Sequence, residues 1–196
     1  MPSGPGHGGR GRGRGFGRAR KPPEDPASAE AARGRAIGML ARRDYPRRAL
    51  KDRLADSGFA EAAAESAVAA LEDERLVNDA RFVEAAVASR TARGQGPIRI
   101  ALELRRQGVA ATLISAALDS RAPEWAERAV ELRRRRFGSE PPRDPKERAR
   151  QVRFLLQRGF SGDQVRRALG ARLADDLDLD DGGLGEGPDE ADPADE

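Results

Sequence analysis

Three times along this chain a leucine is followed four residues later by a glycine and then by a large apolar residue. The instances are Leu54-Gly58-Phe59, Leu104-Gly108-Val109 and Leu155-Gly159-Phe160. The glycines lie 50 and 51 residues apart. Apolar or small residues return six and ten positions after each: Ala64 and Val68, Ile114 and Leu118, Val165 and Leu169. No other feature constrains the fold as strongly, because a fixed period of this size requires one supersecondary unit used three times. Arrays of this kind serve as surfaces for extended partners and rarely catalyse.

Each glycine reads as a helix stop. As the first residue past a helix it takes the left-handed conformation without steric cost. The leucine then stands three positions back from the last helical residue, and the following Phe or Val closes over it in a Schellman motif. Leu54 is therefore expected on Phe59, Leu104 on Val109 and Leu155 on Phe160. Upstream, the pairs Leu50 and Leu54, Ile100 and Leu104, and Val152 and Leu155 have the spacing of one helix face. A further helix follows each turn, and in the third repeat Ser161 and Gln164 have capping-box spacing.

A first helix precedes each pair. In repeat one it carries Ile37 and Leu40 and ends near Pro46. In repeat two it carries Phe82, Val83 and Val87, is capped by Asn78, and ends at Gly94-Gln95-Gly96-Pro97. In repeat three it starts near Pro123, runs through Trp125, Ala129 and Leu132, and stops at Gly138. No stretch has convincing strand alternation. The expected architecture is all-α: an elongated tandem array of three three-helix repeats, residues 29–76, 77–120 and 121–172, between disordered tails at 1–28 and 173–196. Apolar residues are few in each unit, so each should lean on its neighbour.

The tails differ in charge. The head carries Gly8-Gly9-Arg10-Gly11-Arg12-Gly13-Arg14-Gly15-Phe16-Gly17-Arg18, which has almost nothing to bury. Residues 1–35 hold eight bases and three acids, while residues 171–196 hold eleven acids against Arg172 alone. With an overall formal charge of +3, the body from 36 to 170 is left at +8, so a modest total hides a basic body with an acidic end. Such an end could fold back over the basic body. The chain has no cysteine, which excludes disulfides and thiolate chemistry and fits a reducing cytoplasm. No apolar run is long enough to span a membrane, and no signal-peptide core follows the basic head.

The usual catalytic groups have no support. The single histidine, His7, lies in the Gly-Arg head, and no phosphate-cradling loop or metal-ligand cluster is present. Gly94-Gln95-Gly96 reads as a helix stop and not a dinucleotide fingerprint. Acids mostly alternate with bases on helix faces, as in Glu72-Asp73-Glu74-Arg75. The expectation is a non-enzyme without cofactor or metal.

The basic residues are the candidate binding groups. Arg133, Arg134, Arg135 and Arg136 close the seventh helix, beyond what its dipole needs. Arg90 and Arg93 flank the Gly-Pro loop with Arg99 just past it. Arg105 and Arg106 are placed on the solvent side of the next helix, with Leu102 and Leu104 turned inward. Arg42, Arg43, Arg47 and Arg48 bracket the equivalent loop of repeat one. Stacked in line, these make a discontinuous positive stripe. DNA reading by all three units as helix-turn-helix motifs is disfavoured, because the helices after Gly58 and Gly108 begin with alanines and offer no base-reading side chain; only the third, with Gln164, Arg166 and Arg167, has the residues for it.

The run from Arg75 to Phe82, the run Ser89-Arg90-Thr91-Ala92-Arg93-Gly94-Gln95-Gly96-Pro97-Ile98-Arg99-Ile100, and Glu103 to Val109 resemble the central repeat of the RecX family. Arg153 to Ser161 resembles its third repeat. The resemblance covers about residues 35–170 and neither tail. It implies a cytoplasmic, monomeric, non-catalytic regulator that binds RecA and the RecA–DNA filament. Family members mostly inhibit its ATPase, strand exchange and growth, in recombination, DNA repair and the SOS response. The contacts it implies are Arg90, Arg93, Arg99, Arg105, Arg106 and Arg133 to Arg136, with Gly94, Gly96 and Pro97 shaping the loop and direct DNA contact possible. One departure is Pro46, where a serine commonly begins the second helix; a shifted cap is expected, not a lost helix. The rival reading is a general single-stranded nucleic-acid-binding helical repeat protein acting through the Gly-Arg head.

Overall fold

The structure, a computed structural model, describes residues 22–170. The Gly-Arg run and the acidic end lie outside the described residues. Among the described residues there are nine α-helices and no strand: α1 (Ala29–Leu40), α2 (Arg47–Ala55), α3 (Glu61–Asp73), α4 (Asp79–Ala92), α5 (Pro97–Arg106), α6 (Ala111–Asp119), α7 (Trp125–Phe137), α8 (Pro145–Gln157) and α9 (Gly162–Leu169). A single 3₁₀ turn, Ala122–Glu124, leads into α7. The helices pack in threes, α1 to α3, α4 to α6 and α7 to α9.

The period-fifty turns form as their spacing predicts. Gly58, Gly108 and Gly159 have φ of 96°, 77° and 87°. Phe59, Val109 and Phe160 each donate a backbone N–H to the carbonyl of Leu54, Leu104 and Leu155, at 3.2 Å in every case. All six of these side chains are buried. The turn after α4 repeats the device, with Gln95 N–H on the Arg90 carbonyl at 3.1 Å. The turn after α3 uses it with Arg75, the only described non-glycine residue at positive φ (59°). Asn78 caps α4, Asp144 caps α8, and Ser161 with Gln164 completes the capping box of α9.

The turn glycines are also joints between repeats. Gly96 N–H donates to the Arg158 carbonyl at 2.7 Å, and Ile98 N–H to the Gly159 carbonyl at 3.0 Å. The start of α5 therefore abuts the end of α8. A Cβ on Gly96 would sit 2.4 Å from the Gly159 carbonyl carbon. At the other end of α5, a Cβ on Gly108 would sit 2.3 Å from Cδ of Arg48. So α8, α5 and α2 follow one another head to tail, each carbonyl-rich end facing the amide-rich end of the next.

Pro46 stands twelve residues before Gly58, as Gly96 does before Gly108. It has no N–H to donate across the joint. Instead Arg47 N–H donates to Oδ1 of Asp79 in α4, at 2.7 Å. The helix survives, and its cap comes from the next repeat.

Repeats two and three share one core, in which Val87, Ile100, Leu104, Trp125, Leu155 and Phe160 meet. Repeat one has its own, around Leu50, Leu54, Val68 and Leu71. Two expectations need correction. α1 buries Ala32, Ala36 and Met39, a face that leaves Ile37 39% exposed. In α5, Leu104 is fully buried but Leu102 is 38% exposed, because Ile100 and Leu104 already define the inward face.

The glycines separate into joints and spacers. Gly96→Ala should cost about 1–3 kcal/mol, since the obstructing atoms are backbone and cannot yield. Gly34→Ala, in mid-helix with open space around it, should gain about 0.5–1 kcal/mol. Denaturant unfolding followed by circular dichroism checks both signs.

Candidate functional site

The loop after α4 is wedged against repeat three. A Cβ on Gly94 would lie 2.9 Å from Cδ1 of Leu132 in α7, while Gly96 rests on Gly159 at the end of α8. Pro97 follows as the first residue of α5. The repeat-two candidates Arg90, Arg93, Gly94, Gly96, Pro97 and Arg99 thus gather beside the residue that precedes the arginine run of α7. Sequence distance conceals this closeness.

Arg133 is not a surface group. It is 4% exposed. Its Nε donates to Oε1 of Gln151 at 2.9 Å, and its Nη2 donates to the Glu140 backbone carbonyl. The guanidinium ties α7 to α8 and to the loop between them. The buried face of α7 runs Trp125, Ala129, Arg133, so the third position of the stripe falls on the arginine. Arg134, Arg135 and Arg136 remain exposed.

Arg90 and Arg99 are also partly spent. Both meet Glu103 of α5: Arg90 Nε lies 2.7 Å from Oε2 and Arg99 Nε 3.3 Å from Oε1. Gln95 donates to the same carboxylate at 3.2 Å. Burial alone would push the Glu103 carboxyl up. Hydrogen bonds from Arg90 and Arg99, with their charges, outweigh it and hold the group below its ordinary value of 4.5. Arg99 also donates from Nη1 to the Gln157 carbonyl at 3.4 Å, across the joint. Arg93, at the C-cap of α4, is exposed.

Arg105 and Arg106 lie in the last turn of α5, about 9 Å along its axis from Arg99 at 1.5 Å per residue. Gly108, two residues past Arg106, lies against Arg48 at the joint with repeat one. On the same outward side, Ile98 and Leu102 are 37% and 38% exposed. Read from sequence, Leu102 turns inward and Ile98 has no role, yet Ile98, Leu102 and Arg106 are spaced four apart, which places them on one helix face. In repeat one, Arg47 is held by Glu65 and, at 3.2 Å, by Glu72, and Arg43 lies over the Tyr45 ring at 4.4 Å.

Among the described residues no group of three or more His, Asp or Glu could hold a metal ion, and no helix is long and apolar enough to cross a membrane. What the fold presents is a basic, partly apolar face along the middle helices. Its helices, packed in threes, define a tandem three-helix repeat protein. Residues 32–71, 78–118 and 123–169 match the first, second and third three-helix domains of RecX. Regulatory protein RecX of Halorhodospira halophila is 44% identical over 150 residues, covering 76% of this chain and 93% of that protein. The Chromohalobacter salexigens protein of the same name is 48% identical over 134 residues, covering 68% and 88%. The crystal structure of RecX from Lactobacillus salivarius shares the fold, with a TM-score of 0.63 at 21% identity over 76% of this chain and 97% of that one. The chain belongs to the RecX family of regulatory proteins.

The Glu103 cluster carries a pH signature. Its folded pKa is below the unfolded one, so its contribution is complete above 4.5 and is lost as pH falls from there through the folded value. Glu103→Gln should lower stability at neutral pH and flatten the acid limb of the stability curve. Unfolding free energies measured across the acid range test this.

Proposed function

We propose that this chain modulates the recombinase RecA by lying along the RecA–DNA filament, mostly restraining its ATPase, strand exchange and growth. The observation that carries the reading is the outward face of α5. There Ile98 and Leu102 stand uncovered beside Arg105 and Arg106, at the centre of the array. Apolar groups ringed by arginine suit a protein interface, and a head-to-tail line of helices suits a helical polymer. Arg93, Arg134, Arg135 and Arg136 extend the contact, with Arg90 and Arg99 held in place by Glu103. Family membership supports the partner. The protein acts as a cytoplasmic monomer without catalysis of its own.

The test is the steady-state ATPase of a RecA–single-strand DNA filament titrated with the protein. Inhibition well below one molecule per RecA protomer is expected. Leu102→Asp with Arg106→Glu should raise the half-inhibitory concentration at least tenfold while helicity is kept. No inhibition by the wild-type chain at any ratio would overturn the proposal. Removal of residues 1–22 should leave inhibition in place; its loss would favour the nucleic-acid-tether reading of the Gly-Arg head.

A further inference from the structure

Repeat three carries a groove that the function proposed above touches only at Arg136. It measures about 160 Å³ and is lined by Arg136, Phe137, Arg150, Arg153, Phe154 and Gln157. Three guanidiniums, two aromatic rings and a carboxamide face it, and no carboxylate does. Several arginines elsewhere answer to acids: Arg47 to Glu65 and Glu72, Arg90 and Arg99 to Glu103, Arg128 to Glu124 and Glu131. Arg136 could serve the C-terminal end of α7. Arg150 and Arg153 lie in the body of α8, where the helix dipole offers no reason for them.

The rings are fixed. Phe137 and Phe154 meet edge to face, with centroids 5.3 Å apart and planes at 88°. Phe154 packs on the shared core. Arg150 lies 5.7 Å from the Phe137 centroid, and Arg158 lies 5.2 Å from that of Phe154. Both rings are half-buried and still border the groove. The cavity is smaller than the roughly 300–1,000 Å³ that encloses a drug-sized ligand or cofactor. A single planar ring or a phosphate entering from solvent fits its scale.

We infer that this groove is a site for single-stranded nucleic acid, with backbone phosphates on Arg136, Arg150 and Arg153 and an unpaired base against the Phe137–Phe154 pair. Guanidiniums beside immobile aromatic rings are the combination that sequence-tolerant single-strand binding uses. An acidic peptide would engage the guanidiniums and leave the rings idle, so the rings favour nucleic acid. Gln157 places the groove at the joint, where its carbonyl takes the bond from Arg99.

The test contains no RecA, so it stands apart from the function proposed above. The full chain is crosslinked to an oligonucleotide carrying 5-iododeoxyuridine, and adducts are mapped by mass spectrometry. Adducts at Phe137 or Phe154 are expected; adducts confined to Phe16 of the Gly-Arg head, or none, overturn the site. Binding is then measured by fluorescence anisotropy with a thymidine oligonucleotide and an abasic one of equal length. Phe154→Leu should weaken thymidine binding about fivefold, the lower end of base-stacking effects, and leave abasic binding unchanged. The double variant Arg136→Ala with Arg153→Ala should weaken both and flatten the log–log salt slope by about 1.4, about 0.7 for each lost phosphate contact. Circular dichroism confirms that the variants are folded. An equal loss on both oligonucleotides for Phe154→Leu, or an unchanged slope for the arginine pair, overturns the inference.

Discussion

The arrangement of the array depends on two backbone hydrogen bonds, from Gly96 and Ile98 to the carbonyls of Arg158 and Gly159. Every helix end carries amides or carbonyls without an internal partner. Here the unpaired carbonyls at the end of α8 receive unpaired amides at the start of α5. One end satisfies the other, and the approach is close enough that neither Gly96 nor Gly159 has room for a side chain. Because backbone meets backbone, the roll of α5 relative to repeat three is fixed. That roll sends Ile100 and Leu104 into the core and leaves Ile98 and Leu102 outside. The exposed apolar face is thus a consequence of the joint.

The joint with repeat one is built from different parts. Pro46 removes the amide that would cross it, and the contact falls to side chains: Arg48 over Gly108, and Asp79 on the amide of Arg47. The cores agree with this division, one spanning repeats two and three and a separate one for repeat one. Contacts through flexible side chains open at lower cost than a backbone joint with a shared core. On that ground the joint with repeat one is the weaker of the two.

Much of the fold is legible in the sequence because its devices are local. A Schellman turn needs only a glycine and two apolar residues at set spacing, and the capping box of Ser161 and Gln164 needs only two polar ones. Residues that depend on a neighbouring repeat are not legible in this way. Arg133 looks like its three companions until α8 supplies Gln151 as its partner. Ile37 looks like a core residue until Ala32, Ala36 and Met39 are seen to fill the face. The candidate surface divides along the same line. The arginines of repeats two and three can be named from the chain, but the part of Glu103 in holding two of them depends on a fourteen-residue stretch folding back from α4 to α5. The ring pair of Phe137 and Phe154, seventeen positions apart, belongs wholly to tertiary structure.

This separates net charge from available charge. The body carries +8 from residue 36 to 170, but the sum does not say where a polyanion would meet it. Arg47, Arg90 and Arg99 are tied to glutamates, and Arg133 is buried. These arginines hold helices in register: glutamates offset the charge of Arg47, Arg90 and Arg99, and burial keeps a ligand from touching Arg133. Arg93, Arg105, Arg106 and Arg134 to Arg136 remain exposed on repeats two and three. Exposed guanidiniums bind polyanions through release of counterions and are weakened by salt, whereas the Arg90–Glu103 pair is largely shielded by burial and responds chiefly to acid. Raising ionic strength should therefore loosen partner binding well before it loosens the fold, and lowering pH through the carboxylate range should do the reverse.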